Sequence, residues 1–348
     1  MANWIKRLGS PRTGFRYVDS NERLVRDKRT LARIDSLRVP PAWRGVHIAA
    51  SPRSAIQAWG FDARGRKQYR YHERAVELRE ARKYYRVRQL ARELPRIRRT
   101  LHQDARPSAS RDRLDAEVVA ATVLRLISET FCRIGGEKYL RENGTFGITT
   151  LRKSHVDVRD GVARLEYRGK GRIRQCQVIH QPDLVRLIQR QLQTPGSRLF
   201  SFRNDREWRV LTARDVNEYL KRRVGPYSAK DFRTWGGTLR AATILAELGA
   251  APSETAAKRN VALAMRLVSS ELGNTPAICR KSYVHPIVLA RYLDEGETIP
   301  LPRARRTASN RGQAHSPEER ALIAFLDTHF PERRRKQRDE ERHRRHAA

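Results

Sequence analysis

The stretch HVDVRDGVARLEYRGKGRIRQCQVIH, residues 155–180, sets the fold class of this chain. Polar and apolar residues alternate along it, as they do in strands that bury one face. Asp160-Gly161 interrupts the alternation as the turn of one hairpin, and Gly169-Lys170-Gly171 interrupts it as a second turn. The stretch therefore predicts a small three-stranded sheet, with Lys170 at the tip of a hairpin.

Helical patterns lie on both sides of this sheet. Residues 112–136, DRLDAEVVAATVLRLISETFCRIGG, carry apolar side chains on one helical face and end at paired glycines, which puts Arg133 at the C-terminal end of the helix. From about residue 182 to 300 the helical periodicity returns, most clearly in ATILAEL and VALAMRLV. The sheet is therefore expected to lie within a mainly helical domain.

The first 80 residues have a different pattern, in which short apolar stretches are separated by proline and glycine. Short strands joined by turns fit that spacing. From Arg74 the apolar residues recur at helical intervals, with Pro95 dividing the stretch. We therefore predict an α+β fold: a small β-rich N-terminal domain (residues 1–80), a larger mainly α-helical domain that contains the three-stranded sheet (81–303), and a basic, largely disordered C-terminal tail with room for a short helix (304–348).

The charge balance points to a polyanionic partner. The chain has 73 Lys and Arg against 38 Asp and Glu, a formal net charge of +35. No run of roughly 18 apolar residues could cross a membrane, and the basic residues are spread through every segment instead of along one amphipathic helix. This distribution fits a groove that wraps nucleic acid better than it fits a membrane surface.

Several classes of protein are not supported by the sequence. The three cysteines, Cys132, Cys176 and Cys279, lie far from one another, and the N-terminus lacks the apolar segment of a secretory signal, so we expect a reduced, cytoplasmic protein. No carboxylate cluster has metal-ligand spacing, and no glycine-rich phosphate loop is present. We therefore expect neither a metal site nor a cofactor.

A second informative stretch is GNTPAICRKSYVHP, residues 273–286. Thr275-Pro276 opens a predicted helix, Asn274 precedes it, and Tyr283 follows about two turns later. Elsewhere, KDFRTWGG (230–237) contains Arg233. Each candidate residue alone has an ordinary explanation: Arg133 complements a helix dipole, Lys170 is a solvated turn residue, Arg233 pairs with Asp231, and Tyr283 packs in the core.

The same residues together form a set suited to phosphodiester chemistry. A phosphodiester attacked by a tyrosine gains negative charge on its non-bridging oxygens, which suits two guanidinium groups and one neutral amide donor. The leaving oxygen needs a proton, which a lysine on a hairpin can supply. Because the pKa of tyrosine is ordinarily near ~10, cationic surroundings would have to activate the nucleophile.

Six segments in this order resemble the successive signatures of the type IB DNA topoisomerases, specifically the short bacterial and poxvirus-like branch. They run from about residue 38 to 290: PPAW, DARGRKQYRYH, RIGGEKYLRENGTFGITTLRKSHV, YRGKG, KDFRTWGG and GNTPAICRKSYVHP. The resemblance implies a β-rich N-terminal domain and a mainly helical catalytic domain, the fold that this family shares with the tyrosine recombinases, clamped around duplex DNA.

The resemblance also implies a role for each residue of the set. Tyr283 would attack the phosphodiester and form a 3′-phosphotyrosyl link, while Arg133, Arg233 and Asn274 would hold the non-bridging oxygens. Lys170 would protonate the departing 5′ oxygen. The link conserves the bond energy, so religation after strand rotation would need no ATP, and supercoiled duplex DNA would be relaxed by a monomer associated with the nucleoid.

The resemblance places one part of the N-terminal domain in a DNA groove. Basic residues interleaved with tyrosines can contact phosphates and base edges, and the expected contacts are Arg66, Lys67, Gln68, Tyr69 and Tyr71, with Lys138 and Tyr139 as further candidates in the catalytic domain. Without the resemblance, the N-terminal segment would be interpreted as a surface hairpin.

The sequence departs from the wider fold at two positions. Some members of this fold have His where Asn274 stands, and asparagine cannot titrate. Lys230 stands where tyrosine recombinases usually have the His of an His-x-x-Arg box, which favours a topoisomerase. Two alternatives stay open: a tyrosine recombinase or integrase, and a noncatalytic basic DNA-binding protein. His285 is interpreted as structural or DNA-facing.

Overall fold

A computed structural model of the chain describes residues 3–106, 114–205, 207–301 and 314–330. The chain separates into two compact units, Met1–Tyr84 and Tyr85–Ala348. A small N-terminal unit rich in β-structure is followed by a larger, mainly helical one. The predicted α+β class is therefore confirmed.

The N-terminal unit is built on a five-stranded antiparallel sheet in the order β2-β1-β3-β4-β5. Its elements in chain order are β1 Trp4–Ser10, β2 Gly14–Val18, α1 Lys28–Ser36, β3 Arg44–Ala49, β4 Ile56–Phe61 and β5 Lys67–Tyr71. Apolar side chains of the sheet pack against Ile34 of α1 in a small core. Helix α1 begins at Asp27, whose carboxylate accepts a hydrogen bond from the Thr30 amide at 2.8 Å.

Helix α2, Glu73–Asp104, starts in the first unit and continues into the second. The expectation that Pro95 divides this stretch was wrong, since the helix runs through it. An interior proline costs about 3 kcal/mol or more, but Leu90, Leu94, Ile97 and Leu101 are fully buried on both sides of it. Burial of such a side chain contributes about 1.5–3 kcal/mol, which offsets the cost.

The larger unit contains nine further described helices, most of them amphipathic and packed in one core. They are α3 Ala116–Thr130, α4 Glu137–Asn143, α5 Pro182–Leu192, α6 Ala213–Arg223, α7 Ala229–Leu248, α8 Glu254–Leu272, α9 Pro276–Ser282, α10 Pro286–Glu295 and α11 Pro317–His329.

The predicted three-stranded sheet is present, with strands β6 Val156–Arg159, β7 Val162–Arg168 and β8 Arg174–Ile179 in antiparallel order. Asp160 and Gly161 both have positive φ, 49° and 74°, as a tight hairpin turn requires. Lys170 lies in the turn between β7 and β8, and Gly171 there has φ 73°. A short hairpin, β9 Ser201–Asn204 with β10 Glu207–Val210, completes the β-structure of the described residues.

The segment 314–330 contains a helix, for which the predicted tail had left room, but this helix is packed in the core and is not part of a disordered tail. Helix α11 buries Leu322, Phe325 and Leu326 in the core of the larger unit. Glu319 is also buried, and its carboxylate accepts hydrogen bonds from Arg98 of α2 at 2.7 and 2.9 Å. This part of the sequence therefore belongs to the larger unit, because its few apolar residues lie on one helical face. The rest of the predicted tail, 302–313 and 331–348, lies outside the described residues.

Candidate active site

Arg133 follows α3 in a backbone that is fixed from both sides. Helix α3 ends at Thr130 because Phe131 adopts the left-handed conformation, φ 52°, so Arg133 lies just beyond the helix and not at its end. The Arg133 carbonyl accepts a hydrogen bond from the Ile148 amide at 2.8 Å. Gly147 lies so close to this segment that a Cβ there would stand 2.7 Å from the same carbonyl oxygen. Gly147 and Ile148 thus hold the backbone of Arg133 in place.

Arg233 lies on α7 and is almost completely buried. The guanidinium group donates to the Phe131 carbonyl and, at 2.8 Å, to the Leu272 carbonyl. The suggested pairing of Arg233 with Asp231 is wrong. Asp231 caps α7 and receives two hydrogen bonds from Arg86, at 2.8 and 3.0 Å.

The two glycines after Arg233 allow close contacts on α7. A Cβ at Gly236 would stand 2.4 Å from the ring of Phe131, and one at Gly237 would stand 2.8 Å from the Tyr283 carbonyl oxygen. Distances under 3.0 Å are not tolerated without movement of a neighbour. Glycine is therefore required for α7 to approach both Phe131 and Tyr283.

Tyr283 stands at the C-terminal end of the short helix α9, half-buried. Thr238 of α7 holds the backbone around it: its hydroxyl donates to the Tyr283 carbonyl at 3.3 Å and accepts from the His285 amide at 3.0 Å. His285 is 2% exposed, and its ring nitrogen Nδ1 accepts a hydrogen bond from the Ile287 amide at the start of α10. Of the two predicted roles, the structure therefore supports the structural one, because the ring of His285 is buried and caps α10.

The two site arginines are held by oxygen atoms that carry no full charge. Arg133 donates to the carbonyls of Leu272, at 3.3 Å, and Gly273, at 3.0 Å, and to Oδ1 of Asn274. The Leu272 carbonyl thus accepts from both Arg133 and Arg233. Among the described residues no carboxylate lies within 4.0 Å of either guanidinium group, so both positive charges are left for an anion.

Tyr283 lies beside these charges, with the Arg233 guanidinium carbon 5.1 Å from the centre of its ring. Burial alone would raise the pKa of the Tyr283 phenol, but the charges of Arg233 and Arg133, a hydrogen bond from Arg233 and the charge of Lys230 outweigh it, so the pKa is lowered. Burial and the neighbouring charge of Arg233 lower the pKa of Arg133. The cationic surroundings of Tyr283 therefore stabilise negative charge.

The pocket has a volume of about 240 Å³. Four of the predicted catalytic residues line it, Arg133, Lys170, Arg233 and Tyr283, together with Lys230 and Tyr139. Lys170 is exposed at its rim. The sequence prediction did not include Lys230 in the site, although its position three residues before Arg233 on a helix would have placed both on one face.

Asn274, the fifth predicted residue, contacts the site through Arg133. Its amide nitrogen Nδ2 is buried and has no hydrogen-bond partner among the described residues. Because Oδ1 accepts from Arg133, the amide is oriented with its donor directed away from that cation.

The predicted DNA-binding residues are divided between the two units. Tyr139 lines it and is 62% exposed, while Lys138 lies on α4 with an exposed ion pair to Glu142 at 3.8 Å. The other five lie on or beside β5 in the N-terminal unit. There Arg66 and Gln68 bind the Asp62 carboxylate, Lys67 stands 3.8 Å above the Trp59 ring, and the rings of Tyr69 and Tyr71 stack on each other.

The described residues contain neither a candidate metal site nor a candidate membrane span. No three His, Cys, Asp or Glu side chains there are grouped so that they could share a metal ion. None of the described helices combines the length and the apolar composition that crossing a membrane requires.

A fold with a β-rich N-terminal unit and a helical unit that surrounds a tyrosine with arginines defines a class of enzymes that act on phosphodiesters. Comparison with known proteins identifies the family. Residues 67–301 match the family "Eukaryotic DNA topoisomerase I, catalytic core", and residues 14–62 match "Bacterial DNA topoisomerase IB, N-terminal domain".

Individual relatives agree with these matches. The chain is 32% identical over 296 residues to DNA topoisomerase 1B of Acanthamoeba polyphaga mimivirus, which covers 81% of this chain and 85% of that relative. It is 25% identical over 242 residues to DNA topoisomerase 1B of Vaccinia virus (strain Copenhagen), covering 68% and 72%. The chain belongs to the type IB DNA topoisomerases, in the branch that contains bacterial and viral members, and it is therefore an enzyme that acts on DNA.

Proposed function

We propose that the protein relaxes supercoiled duplex DNA by cutting one strand through Tyr283, letting the free strand rotate, and rejoining it without ATP. The observation that carries this proposal is the position of the Tyr283 phenol beside two guanidinium groups that have no carboxylate partner among the described residues. Such a pocket favours both the phenolate nucleophile and the charge that develops on the phosphate.

In the proposed reaction the Tyr283 oxygen attacks the phosphorus, and the bond from phosphorus to the 5′ oxygen breaks. Arg133 and Arg233 stabilise the non-bridging oxygens. The buried donor of Asn274 supports a third contact, because an unsatisfied buried donor costs about 1–3 kcal/mol, and a phosphoryl oxygen would satisfy it. Rejoining is the reverse attack by the 5′ hydroxyl, so the 3′-phosphotyrosyl link supplies the energy for the second step.

Lys170 is the proposed general acid of strand cleavage. Its place in the turn between β7 and β8, at the rim of the pocket that holds Tyr283, supports delivery of a proton to the leaving 5′ oxygen. Loss of a general acid typically costs ~10²–10⁴-fold in rate. A substrate with sulfur at the 5′-bridging position leaves as a thiolate, which needs no proton.

The N-terminal unit and the surface near α4 are proposed to bind the duplex. Strand β5 carries the stacked pair Tyr69 and Tyr71 and the cation Lys67, which lies above Trp59 of the neighbouring strand β4. All five proposed catalytic residues come from one chain, which supports activity as a monomer. The recombinase alternative would need protein partners that exchange strands between two duplexes.

Substitution Tyr283→Phe tests the nucleophile, because it removes only the hydroxyl group. The variant is expected to bind duplex DNA with unchanged affinity and to relax no supercoiled plasmid. Tyr292→Phe is the matched control and should retain relaxation, because Tyr292 does not line the pocket and its hydroxyl donates instead to the Gly249 carbonyl at 2.8 Å. Full relaxation by Tyr283→Phe would remove Tyr283 from the mechanism. Gel shifts without any relaxation by the unsubstituted protein would contradict the proposed relaxation of supercoiled DNA.

A further inference from the structure

Gln175 is a buried polar residue that neither the proposed mechanism nor its DNA contacts use. It lies on β8, five residues after Lys170, and is 8% exposed. Its amide nitrogen donates to the adjacent Arg174 carbonyl at 3.2 Å. The segments that its side chain contacts indicate what this residue does.

The aliphatic part of Gln175 packs on the base of the Lys170 turn. A Cβ placed on Gly169 would stand 2.9 Å from Cγ of Gln175. The amide end of the same side chain packs on Gly273: a Cβ there would stand 2.3 Å from Nε2 and 2.6 Å from Oε1. Gln175 thus fills the space between two glycines, one directly before Lys170 and the other directly before Asn274.

The two segments that Gln175 separates are held very differently. The loop at Gly273 is anchored by Arg133, which donates to the carbonyl of Gly273 and to the side chain of Asn274. It is also anchored by the backbone amide of Asn274, which donates to the Ser269 carbonyl at 2.8 Å. In the turn 169–173, the backbone hydrogen bonds found in the described part of the chain stay within the turn, from Gly169 to Ile173 and from Arg172 to Gly169. The last pair of the β7–β8 ladder, Arg168 with Arg174, and a hydrogen bond from the Phe146 amide to the Arg168 carbonyl at 2.8 Å hold the base of the turn. Beyond this base, the position of the turn depends on packing.

We infer that Gln175 is a positioning residue, a spacer that fixes the Lys170 turn against the rigid Gly273–Asn274 loop and so directs the Lys170 ammonium group at the leaving oxygen. This inference rests on the proposed role of Lys170. Without the spacer the anchored loop keeps Arg133 and Asn274 in place, while the turn loses its support. A misplacement of about 1 Å can cost on the order of 10²-fold in rate.

Gln175→Ala tests the inference in single-turnover cleavage of two substrates, one with oxygen and one with sulfur at the 5′-bridging position. We expect cleavage of the oxygen substrate to slow by roughly 10–10²-fold and cleavage of the sulfur substrate to stay within about twofold of the unsubstituted enzyme, since a thiolate needs no proton. Gln177→Ala, the same change two residues along β8, is the control and should leave both rates unchanged.

Two further variants separate positioning from loss of structure. Gln175→Met keeps an unbranched chain of similar length and should restore most of the rate on the oxygen substrate. The double variant Lys170→Ala with Gln175→Ala should be no slower than Lys170→Ala alone, because a spacer for an absent group has nothing left to position.

The outcomes distinguish this inference from the proposed function. If Lys170→Ala is rescued by the sulfur substrate and Gln175→Ala is not, Lys170 remains the acid and the inference about Gln175 is overturned. Additive losses in the double variant would also overturn it. If Lys170→Ala stays slow on both substrates, the acid role itself fails, and the inference fails with it.

Discussion

Replacement of Glu319 by alanine should strongly destabilise the larger unit. The Glu319 carboxylate is buried, accepts two hydrogen bonds from Arg98 and one from the Ser316 amide at 3.0 Å, and lies 3.4 Å from the indole nitrogen of Trp235. Removing one partner of a buried ion pair typically costs ~3–5 kcal/mol because the other charge stays buried. For a unit of this size, 1 kcal/mol corresponds to about 2–4 °C in Tm, so we expect Tm to fall by roughly 6–20 °C.

Thermal unfolding followed by circular dichroism measures this loss, with urea unfolding as an independent measure of the free energy. Glu318→Ala is the matched control: it removes the same charge from the same turn of α11, but its carboxylate is only partly buried and contacts the Ser316 hydroxyl. The control should lose about 1 kcal/mol or less. Equal losses in the two variants would show that the Arg98 ion pair is not what fixes α11 to the larger unit.

Three further outcomes follow from the site and from the C-terminal region. Deletion of residues 331–348, which carry eight Lys and Arg against four Asp and Glu, should leave Tm unchanged and make the dependence of log Kd on log salt shallower. Deletion from residue 314 onward should lower Tm sharply, whereas equal Tm values for the two deletions would contradict the packing of α11. Gly236→Ala should slow strand cleavage at least about 10-fold, because its Cβ would overlap the Phe131 ring, and adding Phe131→Ala should recover part of the rate. Cleavage of the 5′-bridging sulfur substrate should rise with pH and level off below the ordinary phenol pKa of ~10, since the pKa of Tyr283 is lowered. Lys230→Ala removes one of the charges that lower it, so the levelling should move to higher pH, and an unchanged pH profile would contradict that contribution.

The sequence predicts local structure well where the signal is itself local. Asp160, Gly161 and Gly171 have positive φ, a backbone conformation that few other residue types adopt, so the two turns are specified locally and the strands around them follow. Helices α3, α7 and α8 follow from apolar periodicity. Pro95 misleads because tertiary burial on both sides of it outweighs a local rule.

The arrangement of the site can be predicted only in part from such local signals. Its residue types were identified by chemistry and by resemblance, but spacing along the chain does not reveal that the Leu272 carbonyl joins Arg133 to Arg233. The contact of Gln175 with Gly273 cannot be predicted from the sequence either, because it arises only when strand β8 packs beside the end of α8, almost 100 residues later in the chain. The burial of Glu319 in a highly charged segment depends on Arg98, more than 200 residues earlier.

The identity of the residue that becomes covalently bound to DNA tests the role of Tyr283 as the nucleophile. Labelled nicked or plasmid DNA is incubated with the enzyme, the reaction is stopped with denaturant, and the protein is digested with trypsin and nuclease. We expect the DNA label to remain on the peptide Ser282–Arg291, in which Tyr283 is the sole tyrosine, and the link to be to the 3′ end of the broken strand. A label on any other peptide, or a link to the 5′ end, would contradict the proposed nucleophile and the direction of the proton transfer from Lys170.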